Sequence, residues 1–159
     1  MKTAVVFYSL DGNCAFTAKQ IKKHLNADLL QLQTKDEKKR SFIGKIFWGG
    51  GMVFLRKKPP LKPYVFDPSS YDLIILGAPV WANTIAPPVE TFLRDTPITG
   101  KKIALFVNYG GSKGNSFKRF KTLLAGNNIV AELELKTAVK NCEDVMPQIE
   151  KWAKGLDNL

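Results

Sequence analysis

The chain has 159 residues, with 24 Lys or Arg against 14 Asp or Glu and a formal net charge of +10 at pH 7. That length suits one domain with a full core and is short for two, so residues 1–159 are expected to form a single domain. Cys14 and Cys142 form neither a CxxC pair nor a metal-ligand spacing, no apolar run reaches membrane-spanning length, and Met1-Lys2-Thr3 shows no signal-peptide pattern; no metal site and a cytoplasmic location are expected.

Thr3 to Tyr8 is a near-continuous apolar run, the pattern of a parallel strand covered on both faces. A short polar turn, Ser9-Leu10-Asp11-Gly12-Asn13-Cys14, follows and leads into a helical stripe of Ala18, Ile21 and Leu25. Leu30 and Leu32 alternate with Gln31 and Gln33, which suits an edge strand. Residues 34–63 fit least well. A charge run from Lys35 to Arg40 precedes Phe42, Ile43, Ile46, Phe47 and Trp48, then Gly49-Gly50-Gly51, then Met52 to Leu55 and the basic, Pro-rich Arg56 to Pro60. This segment reads as a displaced second helix whose aromatics either cover the sheet or form a lid or partner surface.

Leu73 to Leu76 is a second central strand, followed by Gly77-Ala78-Pro79-Val80-Trp81-Ala82-Asn83-Thr84. Pro88 suits the first turn of a helix carrying Val89, Phe92 and Leu93. Lys102 to Val107 gives a third central strand, then Asn108-Tyr109-Gly110-Gly111-Ser112 and a helical stripe of Phe117, Phe120, Leu123 and Leu124. Ile129, Ala131, Leu133 and Leu135 alternate with Val130, Glu132, Glu134 and Lys136 as a second edge strand. The last helix carries Val145, Ile149, Trp152 and Leu156, with Asp144 as its expected cap and Pro147 in its first turn. Strand and helix alternate throughout. The expected fold is therefore α/β: a three-layer sandwich on a five-stranded parallel sheet of order 2-1-3-4-5, which places both alternating strands at the edges.

A strand delivering its chain directly into a helix leaves backbone N–H groups unpaired at the positive end of the helix dipole, a ready site for a phosphate. Taken alone, Ser9 to Cys14 is also compatible with an ordinary strand-to-helix turn. In an open parallel sheet, however, ligands bind at the carboxyl ends of the strands where the order reverses. There the chain offers one anion nest, one Trp and one Tyr, an inventory for a phosphate tethered to a flat aromatic ring.

These residues resemble the flavodoxin family, whose phosphate loop has the form Ser/Thr-x-Thr-Gly-x-Thr where this chain has Ser9-Leu10-Asp11-Gly12-Asn13-Cys14. The likeness covers nearly the whole chain and implies a flavodoxin-like fold and FMN as cofactor. It implies a phosphate site at Ser9, Leu10, Asp11, Gly12, Asn13 and Cys14, with side-chain donors Ser9 and Asn13. It places Pro79, Val80, Trp81, Ala82 and Asn83 on one flavin-binding loop, and Asn108, Tyr109, Gly110 and Gly111 on the other. Trp81 is then a stacking platform against the flavin's redox-active edge; read from its position alone, it is equally a core residue. In many members the residue after this Trp is Gly, whose peptide can turn a carbonyl toward N5 of the half-reduced ring. Ala82 accepts positive φ less readily, at a cost of roughly 1 kcal/mol.

Two further positions depart from the family pattern. Asp11 replaces a hydroxyl, and its carboxylate either faces the phosphate and weakens binding or accepts N–H groups that organise the turn. Cys14 replaces another, and a nearby phosphate would disfavour its thiolate, so it is not expected to be a redox nucleophile. His24 lies on a Lys-rich helical face and suits a solvated role. No catalytic triad, paired carboxylate or G-x-G-x-x-G is visible, so no catalytic residue is assigned. An acidic pair and strand-end Asp, marks of the phosphoacceptor receivers that share this topology, are also missing.

Family members are mostly acidic, whereas this chain has clusters at Lys19, Lys22 and Lys23, at Arg56, Lys57 and Lys58, and at Lys113, Lys118, Arg119 and Lys121. They are either a solvated surface or a steering field toward an acidic redox partner, an anionic substrate or a membrane surface. No nucleic-acid motif accompanies them, so no specific nucleic acid is expected, and a peripheral membrane contact is not expected either. The reading that follows is an FMN-dependent electron carrier shuttling reducing equivalents between redox proteins. The alternatives are a small FMN-dependent NAD(P)H oxidoreductase acting on quinones, nitro compounds or flavins, though no nicotinamide site is evident, and a binding module without redox work.

Overall fold

The computed structural model describes residues 1–35 and 58–159. Its elements run β1 (Thr3–Tyr8), α1 (Asn13–Leu25), β2 (Asp28–Leu32), a 3-10 turn (Pro68–Ser70), β3 (Leu73–Trp81), β4 (Thr84–Ile85), α2 (Pro87–Asp95), β5 (Lys102–Tyr109), α3 (Ser116–Leu123), β6 (Asn128–Lys136) and α4 (Cys142–Asp157). The five long strands are parallel in the order β2-β1-β3-β5-β6, which is the expected 2-1-3-4-5 arrangement once the short β4 is set aside. The sheet's sixth strand, β4, pairs antiparallel with the end of β3.

Burial explains the order. Every residue of β1 is buried, and β3 is buried from Leu73 to Pro79, whereas β2 exposes Asp28 and Gln31 and β6 alternates exposed and buried residues from Glu132 to Lys136. Strands with two apolar faces need helices on both sides, and strands with one belong at the edge. One layer packs α1 and α4 through Cys14, Ala18, Ile21, Val145, Ile149 and Ala153 against Val5, Ile75, Phe106 and Leu133. The opposite layer packs α2 and α3 through Val89, Phe92 and Phe120 against Val6, Ile74, Leu76, Leu105 and Val107. Burying each large side chain contributes about 1.5–3 kcal/mol before entropic costs. Gly77 lies inside β3 because the Phe106 ring fills its side-chain space: a Cβ there would stand 2.0 Å from the ring's Cζ.

The structure differs from the sequence expectations at several points. Asn141, not Asp144, precedes α4, so Asp144 falls within the first turn and Pro147 lies farther inside the helix. Asn141 is fixed there because its amide donates to the Lys136 carbonyl and the Thr137 hydroxyl. Most of the displaced second helix expected over 34–63 falls in 36–57, outside the described residues. Its two ends meet beside β2: Lys35 N–H donates to the Pro60 carbonyl (3.0 Å) and Lys62 N–H to the Gln33 carbonyl (2.7 Å). The chain then runs over α2, where Tyr64 and Phe66 pack against Phe92 and the Tyr64 hydroxyl meets that of Thr96 (2.8 Å). The Pro88 expectation holds, with Pro87 and Pro88 opening α2.

Candidate functional site

The parallel topology brings the ends of β1, β3 and β5 to one edge of the sheet, and with them three loops: Ser9–Gly12, Ala82–Asn83 and Gly110–Asn115. The sheet order reverses between β1 and β3, so the crevice opens there.

In the first loop the side chains turn inward to shape the backbone. The Asp11 carboxylate accepts the Asn13 backbone N–H (3.1 Å) and side-chain amide (2.9 Å), which is the turn-organising alternative. Ser9 Oγ accepts the Ala15 N–H (3.1 Å), capping the start of α1 from six residues upstream. Gly12 immediately precedes the helix at φ 93°, a conformation that only Gly adopts cheaply. Asn13 is committed on both sides, since its Oδ1 also accepts the Val139 N–H (2.9 Å) from the β6–α4 loop. The N–H groups of Leu10, Asp11, Gly12 and Cys14 are left without an acceptor among the described residues. Open N–H groups at the positive end of a helix form a cradle for an anion.

Cys14 contributes its backbone but not its side chain to this loop. The thiol, in the first turn of α1, is fully buried, and burial pushes its pKa up, which disfavours the thiolate. Asn108, placed by sequence on the β5 loop, also points inward. Its amide donates to Thr17 Oγ1 (3.1 Å) and approaches Cys14 Sγ at 3.6 Å, bracing the end of β5 against α1.

The second loop is not a loop in the expected sense. β3 continues through Pro79 and Val80 to Trp81, then doubles back into β4 through a two-residue turn at Ala82 and Asn83. Both turn residues have positive φ, 43° and 71°, the signature of the turn that best matches strand twist. Ala82 therefore already occupies the conformation that its side chain opposes. Trp81 is half-buried, and its ring meets that of Tyr8 edge to face at 5.6 Å.

The third loop holds the second. Gly114 leaves no room for a side chain, since a Cβ would lie 2.4 Å from the Asn83 carbonyl oxygen, and the Asn115 N–H donates to that same oxygen (2.8 Å). Tyr109 is half-buried at the end of β5, while Gly110 and Gly111 are exposed, with open space where a Cβ would stand. The Tyr109 carbonyl accepts the Thr137 N–H (2.9 Å), tying in the β6–α4 loop. Sequence reading missed Val139 and Thr137 as supports of the site; a long-range backbone contact leaves no local signal.

A family model described as flavodoxin matches residues 2–152. The chain belongs to the flavodoxin family. Among flavodoxin-like solved structures, it is similar to a Lactobacillus acidophilus NCFM flavoprotein crystallised in complex with FMN, at 19% identity and TM-score 0.74, covering 96% of this chain and 98% of that one. A structure from Bacteroides uniformis ATCC 8492, designated a flavoprotein, superposes at TM-score 0.78 with 22% identity over 96% and 97% of the two chains. Megasphaera elsdenii flavodoxin in its two-electron reduced form does so at TM-score 0.60 with 21% identity over 96% and 98%. Identities this low establish the flavodoxin fold. No curated protein matches the chain in sequence.

Proposed function

We propose that this flavodoxin-family protein binds FMN at the crevice and carries electrons between redox proteins. The observation that supports this most directly is the set of open N–H groups at Leu10, Asp11, Gly12 and Cys14, held outward by Asp11 and Ser9. They would bind the phosphate, and the Ser9 hydroxyl, which accepts from Ala15, keeps its own proton to donate. Trp81 and Tyr109, at the ends of neighbouring strands β3 and β5, would flank the flavin ring, with the open space at Gly110 and Gly111 beside it. FMN bound there would supply the redox chemistry, and the chain's part is to orient the ring and set its surroundings. The cradle takes one phosphate, and no second nucleotide lobe is present among the described residues, which favours FMN over FAD.

The structure narrows the choice of partner surface. In the α3 cluster, Lys113 pairs with Glu134, Arg119 with Glu90 (2.7 Å) and Lys121 with Glu132 (2.7 Å), so most of its charge is balanced locally. On α1, Lys19, Lys22 and Lys23 are exposed, and none forms an ion pair among the described residues. That helix is the better candidate for attracting an acidic redox partner.

The experiment is an anaerobic reduction of the FMN-loaded protein followed by visible spectroscopy. A carrier is bleached slowly by NADH or NADPH alone and rapidly once a flavodoxin reductase is added. Rapid bleaching by either nicotinamide alone would instead assign a reductase.

A further inference from the structure

A cavity of about 470 Å³ lies between the Ala82–Asn83 turn and α3. It is lined by Ala82, Asn83, Thr84, Asn115, Lys118, Arg119 and Thr122. We propose that it is a second binding site, separate from the Leu10–Cys14 cradle, for a small molecule bearing several carboxylate or phosphate groups.

The lining is built from donors. Asn115, Lys118, Arg119 and Thr122 recur at helical spacing of three, four and seven residues, which puts them on one face of α3. The opposite wall is supplied by Asn83 and Thr84. Among the described residues, no carboxylate lines the cavity. Glu90 is paired with Arg119 through Nε (2.8 Å) and Nη2 (2.7 Å), which fixes the guanidinium and leaves its Nη1 protons without an acceptor among the described residues. Lys118 is exposed and has no acidic partner among the described residues, while its neighbours Lys113 and Lys121 are both paired. One ammonium without an acidic partner among the described residues and one immobilised guanidinium, backed by two amides and the Thr84 hydroxyl, suit charge-assisted bonds to anionic oxygens, while the Thr122 hydroxyl donates to the Lys118 carbonyl (3.0 Å). The volume falls within the roughly 300–1,000 Å³ range of small-molecule sites and exceeds what a lone ion fills. The wall is also stiff, because Gly114 and Asn115 pin the Asn83 backbone.

The test is residue-resolved NMR of the full chain at low ionic strength, titrated separately with citrate and with pyrophosphate. Saturable shifts at the amides of Asn83, Thr84, Asn115 and Lys118 are expected, and the probe giving the tighter constant identifies carboxylate or phosphate as the preferred group. Lys118→Glu should weaken binding about tenfold, the scale of one charge-assisted hydrogen bond. Lys151→Glu, the same charge change at an exposed position of α4, should alter it less than about twofold, as expected of a screened distant charge. Equal effects from the two variants, unsaturable shifts at every surface lysine, or shifts confined to Leu10–Cys14 would each overturn the proposal. FMN binding is read independently from the Gly12 and Cys14 amides, so failure of the FMN reading would be seen separately.

Discussion

The two loops that frame the crevice are stabilised in opposite ways. The Ser9–Cys14 loop is held mainly from within: Asp11 closes the turn, Ser9 caps the helix, its one left-handed residue is Gly12, which has open space around its missing side chain, and the Val139 N–H on Asn13 adds one contact from elsewhere. The Ala82–Asn83 turn puts two non-glycine residues at positive φ and is held by a neighbouring loop through Gly114 and Asn115. A loop closed mainly by its own side chains depends little on its neighbours, which suits a fixed anion cradle. An externally clamped, strained turn responds to its neighbour, which suits a contact whose conformation is tuned.

Breaking the clamp should therefore cost most. In Gly114→Ala the new methyl group meets the Asn83 carbonyl, and the residue's own φ of 52° is strained, so a loss of about 2–3 kcal/mol is expected by thermal or chemical unfolding. If that variant unfolds like the wild type, the clamp does not hold the turn.

The Ser9–Cys14 loop should respond more mildly. Asp11→Thr removes the acceptor for Asn13 and should loosen FMN binding by about 1 kcal/mol, roughly fivefold in Kd by isothermal titration. Tighter binding would mean that the carboxylate's repulsion of the phosphate outweighs its work in the turn.

The smallest effect sharpens the contrast at the turn itself. Ala82→Gly leaves the conformation as it is and removes the strain of φ 43°, so stability should rise by about 1 kcal/mol, or about 3 °C in Tm. An unchanged or lower Tm would show that the turn stores no such strain.

The same contrast explains what was legible in the sequence. The strands were readable because both-face burial leaves continuous apolar runs, and the alternating runs at Leu30 and Ile129 marked the edges. The turn after β1 was readable because its shape comes mainly from Asp11, Gly12 and Ser9, all local to it, whereas the Val139 contact on Asn13 was not. The turn after Trp81 was not, because Ala-Asn carries no glycine signal and is held by residues some thirty positions away. Asn108 and Cys14 stand at the end of β5 and the start of α1 rather than on open loops, and their inward direction depends on the packing of α1 against β5. Likewise the basic count on α3 was visible, whereas its pairing with Glu90, Glu132 and Glu134 required the folded chain.

The central claim is that Leu10 to Cys14 bind the phosphate of FMN, and a comparison of FMN with riboflavin tests it most directly. The two ligands share the ring and the ribityl chain and differ in the phosphate alone. With several charge-assisted N–H bonds lost, riboflavin should bind at least about a hundredfold more weakly in parallel fluorescence titrations of the apoprotein. Equal affinities for the two would contradict the account.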